Sequence, residues 1–89
     1  MRELTEVEYD ILNAIYFVES FDKILEDVKF PEKIVGDSLK FLITHKFVSA
    51  MKWDEKKDAH VRSFIYDSDN MRAFSYIITR EGLLAHNSR

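Results

Sequence analysis

Apolar side chains recur every three or four residues over the first part of the chain, a pattern typical of amphipathic helices. The first series starts beside a capping box, since the side chains of Thr5 and Glu8 can each accept from the other's backbone amide. Its inward members are Leu4, Val7, Ile11, Ala14, Ile15 and Val18. Ser20 can end this helix and cap a second one. The inward side of that short helix consists of Phe21, Ile24, Leu25 and Val28.

The third series begins at Pro31 and runs almost without a loop into a β-prone segment. Proline is acceptable near the first helical position, where its missing amide hydrogen is not needed. The inward side is formed by Ile34 or Val35, followed by Leu39, Leu42 and Ile43. We therefore predict a helix at about residues 31–46 and a strand over residues 47–53.

Beyond residue 53 the pattern changes to the alternation typical of strands. Residues 61–66 and 72–78 are β-prone, and polar segments precede each of them. Two arrangements fit: one long wing between two strands, or a three-stranded meander. The alternation within residues 61–66 favours the meander, which would place Asp67 and Asp69 at the tip of its second hairpin.

The closing segment, residues 79–86, predicts a cap followed by a short terminal helix. The expected fold class is therefore α+β in a single domain, residues 1–89. It has three N-terminal helices, a two- or three-stranded antiparallel hairpin or meander, and a short C-terminal helix.

Composition restricts the class of protein further. The chain has 89 residues, 46% of them hydrophobic, which suits one small globular domain. It contains no cysteine, so neither a disulfide nor a thiolate metal site is available. The N-terminus is acidic and lacks an apolar run, which argues against a signal peptide and a membrane span. We expect a cytoplasmic protein.

Charge is distributed unevenly along a chain whose net charge is −3. Residues 1–30 hold three Lys or Arg against eight Asp or Glu, whereas residues 31–89 hold ten against eight. Any basic surface therefore lies in the second part of the chain. Nucleic-acid binding through the third helix and the hairpin would need it there.

Three segments resemble the winged helix-turn-helix transcription regulators, in the broad sense that includes the MarR-like and PadR-like families. They are Leu4-Thr5-x-x-Glu8-x-x-Ile11-Leu12, Leu39-x-x-Leu42 with Phe47-Val48, and Tyr76-Ile77-Ile78-Thr79-Arg80-Glu81-Gly82-Leu83. The last is similar to the family's strand-end pattern Y-x-L-T-x-x-G. The resemblance covers nearly the whole chain and implies sequence-specific binding of duplex DNA. The third helix would enter the major groove and the wing would lie near phosphate or the minor groove.

The resemblance leads to two groups of candidate DNA-binding residues. Groove-facing candidates on the third helix are Lys33, Asp37, Lys40 and Thr44, with Gly36 on the same outward side. Candidate backbone contacts near the first turn of the hairpin are Lys52, Lys56, Lys57 and Arg62. Lys and Thr can contact bases or phosphates, and Asp can accept from a cytosine amino group. The two lysines of the helix face are balanced by Asp37 and the neighbouring Glu32.

A winged-helix module that binds protein and no DNA is the alternative function. The chain has twelve aromatic residues, and Phe17, Phe41, Phe64 and Tyr66 do not all fit the inward stripes. Surplus apolar surface is typical of a partner interface, so we expect a homodimer or a protein partner.

Enzymatic function has no support in the sequence. No nucleophile–base arrangement, glycine-rich phosphate loop or catalytic carboxylate pair can be identified. His45, His60 and His86 lack the spacing of metal ligands. We therefore predict no catalytic residue, no metal site and no cofactor.

Overall fold

A computed structural model describes residues 3–88 of the chain. Within them are four α-helices and four strands, which confirms the α+β class. In chain order they are α1 (Glu6–Ala14), β1 (Glu19–Ser20), α2 (Phe21–Asp27), α3 (Glu32–Thr44), β2 (Val48–Asp54), β3 (Ala59–Ser63), β4 (Ser75–Ile78) and α4 (Arg80–Asn87). A 3₁₀ turn, Met71–Ala73, precedes β4.

The helix starts follow the predicted caps. The backbone amide of Thr5 donates to Glu8 Oε1 at 2.9 Å, and that of Glu8 donates to Thr5 Oγ1 at 3.2 Å. Ser20 Oγ accepts from the amide of Lys23 at 3.2 Å and so caps α2. The prediction that Ser20 also ends the first helix is wrong. Helix α1 stops at Ala14, and Ser20 belongs to a short strand that precedes α2.

The sheet has the order β1-β4-β2-β3, with all neighbours antiparallel. The predicted count of two or three strands is therefore wrong, because the two-residue β1 is too short to show any alternation. The meander is wrong as well. Strand β3 pairs with β2, and β4 returns on the other side of β2, between β2 and β1. The long wing fails too, since a tight turn joins β2 to β3.

Strand ends differ from the predictions where the chain leaves the sheet. Strand β2 agrees within one residue, but β3 ends at Ser63, and Phe64 and Ile65 beyond it are 85% and 84% exposed. Only Ser75–Ile78 of the predicted last strand is extended in the sheet. Asp67 and Asp69 lie in a loop and not at a hairpin tip, and Asp67 Oδ1 accepts from the amide of Asp69.

The core lies between the helices and one face of the sheet. Its fully buried members include Ile11, Leu12, Ile15, Ile24, Val35, Leu39, Leu42 and Tyr76. Val35 is the inward residue near the start of α3, whereas Ile34 is 44% exposed. The open choice between these two positions is thereby decided by burial.

Thr79 joins the end of α3 to the start of α4. Its hydroxyl donates to the carbonyl of Lys46 at 2.7 Å and accepts from the amide of Gly82 at 3.0 Å. Its amide donates to the carbonyl of Phe47 at 3.0 Å. Lys46 itself has a left-handed φ of 65°, which lets α3 turn directly into β2 without a glycine. The predicted cap at Thr79 is confirmed.

Candidate nucleic-acid interface

The four groove-facing candidates lie on α3, which spans Glu32–Thr44 and is slightly shorter than predicted. Lys33 and Asp37 are exposed, and Lys33 Nζ lies 3.3 Å from Asp37 Oδ2. Lys40 is half-buried, and Thr44 is exposed at the last helical residue. Two of the four candidates therefore bind each other, and their charges cancel on the surface that would meet DNA.

Gly36 does not belong to the exposed face, contrary to the prediction. It is buried, and a Cβ placed on it would lie 4.0 Å from Cζ of Phe21 on α2. The reason is the packing of α2 against this side of α3. The exposed face of α3 therefore includes fewer residues than the helical spacing alone predicts.

The connection between β3 and β4 lies beside that face. Residues 64–74 form this connection, here named the strap. Ser68, Asp69 and Asn70 of the strap line a cleft of about 260 Å³ together with residues of α3. The α3 residues that line it are Glu32, Lys33, Gly36, Asp37 and Lys40. Three of the predicted groove-facing residues thus lie opposite the strap.

Arg72 ties the strap to both α2 and α3. Its Nε donates to Asp22 Oδ1 at 2.7 Å, and its two terminal nitrogens donate to the carboxylate of Glu32 at 3.0 and 2.8 Å. The guanidinium carbon also lies 5.3 Å from the ring centre of Phe21. These contacts, named the Arg72 clamp below, join residues 40 to 50 positions apart in the chain.

The clamp changes the acidity of its members. The hydrogen bond and charge of Arg72 lower the pKa of Glu32, and Glu32 and Asp22 together raise the pKa of Arg72. Arg72 therefore stays charged at every accessible pH. Protonation of Glu32 therefore weakens the clamp.

Acid is expected to loosen the strap. The pKa of Glu32 is lowered in the folded protein, so the Arg72–Glu32 pair of the clamp is fully formed above the ordinary glutamate pKa of about 4.3 and is lost as the pH falls through the lowered value. Carboxyl ¹³C titration by NMR measures this directly. Arg72→Gln should return the pKa of Glu32 toward its ordinary value. Identical titration curves in both proteins would show that the clamp does not form in solution.

The other side of the strap is anchored in the core. Met71 is buried, and its carbonyl accepts from the hydroxyl of Tyr76 at 2.7 Å. Tyr66 and Phe74 contact each other edge to face, with ring centres 6.4 Å apart. Burial raises the pKa of both Tyr66 and Tyr76. The strap is therefore anchored to the core at Tyr66, Met71 and Phe74.

The hairpin candidates do not form one surface. Lys52 pairs with Val61 across the two strands and Arg62 pairs with Met51, so Lys52 and Arg62 lie on opposite faces. The amides of Lys56 and Lys57 donate to Asp54 Oδ1, which fixes the turn. Lys56 and Lys57 are exposed at that turn, as predicted.

A second cleft, of about 560 Å³, gathers cations that the sequence keeps apart. It is lined by Lys46 after α3, Arg62 of β3 and Arg80 of α4, and Glu81 is the only carboxylate among the described residues that line it. Arg62 also lies over the ring of Phe64, 5.1 Å from its centre. These three cations are far apart along the chain, so no sequence spacing predicts that they lie together.

Exposed aromatic residues agree in part with the predicted surplus. Phe17 and Phe64 are 80% and 85% exposed, and Trp53 is half-exposed. Phe41 and Tyr66, in contrast, pack against the core. Trp53 and Phe64 belong to the β2–β3 hairpin and its continuation, so apolar surface accompanies the basic residues there.

Within residues 3–88 no group of three or more His, Cys, Asp or Glu is placed to hold a metal ion. The three histidines have separate surroundings. His45 packs on Phe41 and His60 on Trp53, while His86 stacks on Tyr9. In the same described part of the chain, no helix has both the length and the apolar character needed to cross a membrane.

Comparison with known proteins gives no match to this chain among family models, curated proteins or solved structures. The function of this chain is therefore inferred from its own residues and geometry.

Proposed function

We propose that the chain is a winged helix-turn-helix domain that binds duplex DNA, with α3 in the major groove and the β2–β3 hairpin as wing. The observation that carries the proposal is the order and spacing of these elements. Helix α2 ends at Asp27 and α3 begins at Glu32, so four residues join them, as in helix-turn-helix motifs. Lys46 then turns the chain straight into the hairpin.

The charge of the hairpin supports its role as the wing. Residues 48–63 carry four cations, Lys52, Lys56, Lys57 and Arg62, against three carboxylates. This is a positive segment in a chain of net charge −3. Affinity for DNA depends strongly on contacts between cations and phosphates, and such contacts position a protein without reading sequence.

Fluorescence anisotropy with labelled random duplex DNA tests the proposal. Lys33→Ala/Lys40→Ala should weaken binding and reduce the slope of log K against log salt by up to about 2, since each phosphate contact contributes about 1. The matched control is Lys23→Ala/Lys29→Ala, which removes the same charge outside α3 and the hairpin.

Equal weakening in the two double variants would mean that overall charge, and not the α3 face, controls binding. Absence of binding by the unaltered protein at low salt and tens of micromolar concentration would contradict the proposed function.

A second function, binding of a protein partner or a second copy of the chain, is favoured by one observation. Phe64 and Ile65 are almost fully exposed, and Trp53, nearer the turn of the hairpin, is half-exposed. Exposed apolar surface in excess of what the core needs is typical of protein interfaces. If the anisotropy titration shows no DNA binding, protein binding becomes the better supported of the two functions.

A further inference from the structure

The strap lies beside the face of α3 to which the proposed function assigns DNA binding. A helix with its side chains is about 10–12 Å across, and the major groove is about 12 Å wide, so the groove admits a helix and little else. Ser68, Asp69 and Asn70 line the α3 cleft opposite Lys33 and Lys40. With the strap in this position, Lys33 and Asp37 remain 88% and 59% exposed, but residues 68–70 lie beside α3 where a wall of the groove would have to pass.

The charge of the strap acts in the same direction. Asp67 and Asp69 are both exposed on it, and Asp69 lines the cleft beside α3. Their carboxylates repel the DNA backbone and oppose the contribution of Lys40. Sterics and charge therefore both disfavour duplex binding in this arrangement.

Backbone hydrogen bonds link the turns of the strap to Arg72. The amide of Asn70 donates to the carbonyl of Asp67 at 3.0 Å, and the amide of Ala73 donates to the carbonyl of Asn70 at 3.1 Å. Residues 67–73 thus form a hydrogen-bonded unit. The Arg72 clamp fixes that unit to Asp22 and Glu32.

We infer that the Arg72 clamp is an autoinhibitory contact, which holds the strap across α3 and must open before the helix binds duplex DNA. The inference rests on the proposed function. The clamp suits a reversible role, because its three side chains are about half exposed or more, and exposed ion pairs contribute little to stability. Tyr66 and Met71, which pack against the core, remain as the anchors on either side of residues 67–70.

An autoinhibitory clamp changes how DNA affinity depends on salt concentration. Salt weakens phosphate contacts, but it also screens the exposed clamp and so opens the strap. The two effects oppose each other in the unaltered protein. Its binding should therefore depend less steeply on salt than that of a protein whose clamp is already broken.

The test compares Arg72→Gln with Lys23→Gln. Both remove one positive charge, and Lys23 pairs with Asp27 within α2, outside the Arg72 clamp. Two readouts are needed: amide hydrogen exchange over residues 67–73, and anisotropy with labelled random duplex DNA across a salt series. We expect Arg72→Gln to exchange faster in the strap and to bind DNA about threefold or more tightly, with a steeper salt slope. Lys23→Gln should bind slightly more weakly than the unaltered protein.

Each other outcome overturns the inference at a different step. Unchanged exchange in Arg72→Gln means that the clamp does not hold the strap. Faster exchange with DNA binding like that of Lys23→Gln means that the strap does not block DNA, while the proposed function stands. Faster exchange with no DNA binding in any of the proteins rejects both the autoinhibitory role of the clamp and the proposed function. If Arg72→Gln loses its helical circular dichroism, Asp22→Asn/Glu32→Gln breaks the same clamp, with Asp27→Asn/Glu26→Gln as its charge-matched control.

Discussion

Gly82→Ala is expected to lower the melting temperature by about 10 °C or more. A Cβ at this position would lie 2.1 Å from the carbonyl oxygen of Phe47 and 2.8 Å from Cγ1 of Ile78. The oxygen cannot turn away without loss, because it accepts from the amide of Thr79. Overpacking of this kind costs about 1–3 kcal/mol or more, and each kcal/mol shifts a domain of this size by about 4–8 °C.

Gly36→Ala is the matched control, since it makes the same substitution in another helix. The nearest atom to its new Cβ is Cζ of Phe21 at 4.0 Å, an ordinary contact. Alanine is favoured over glycine in a helix interior by about 1 kcal/mol, so the melting temperature should stay the same or rise. Thermal unfolding followed by circular dichroism compares the two. Equal melting of Gly82→Ala and the unaltered protein would mean that α4 does not pack against Phe47 as described.

Tyr76→Phe is expected to destabilise the protein by about 1–2 kcal/mol. Tyr76 is fully buried, and its hydroxyl donates to the carbonyl of Met71 at 2.7 Å. The substitution leaves that carbonyl with only the longer bond from the amide of Phe74, at 3.3 Å. Loss of one partner from a buried hydrogen bond costs about 1–3 kcal/mol, and the remaining bond places the effect toward the lower end.

Tyr66→Phe is the control for that experiment. Tyr66 is only partly buried, and its ring contact with Phe74 does not require the hydroxyl. Urea unfolding should give a midpoint close to that of the unaltered protein for Tyr66→Phe and a lower one for Tyr76→Phe. Equal midpoints for all three proteins would contradict the anchoring of Met71 by Tyr76.

Local signals made the helices predictable. The capping box of Thr5 and Glu8, and the caps at Ser20 and Thr79, all depend on residues three positions apart. Such bonds form within one turn of helix, so sequence spacing specifies them. The spacing of Lys33 and Asp37 would likewise have predicted their ion pair, as an i,i+4 contact.

Contacts between distant residues were not predictable. The Arg72 clamp depends on where α2, α3 and the strap meet, and no spacing in the chain encodes that meeting. The helical period places Gly36 on the outward face, because period alone cannot show that α2 covers it. The two-residue β1 shows no alternation, so neither the fourth strand nor the sheet order could be derived.

The position of β4 determines how the sheet can be assembled. The β2–β3 hairpin is local, since Asp54 pairs with Ala59, and can close within microseconds. Strand β4 must instead bring Tyr76 beside Glu19, a distant pairing that forms slowly. Until it docks, β2 has one unpaired edge, and such edges are where partly folded chains associate. At high protein concentration, slow docking of residues 75–78 should therefore increase the fraction of chains that associate during refolding.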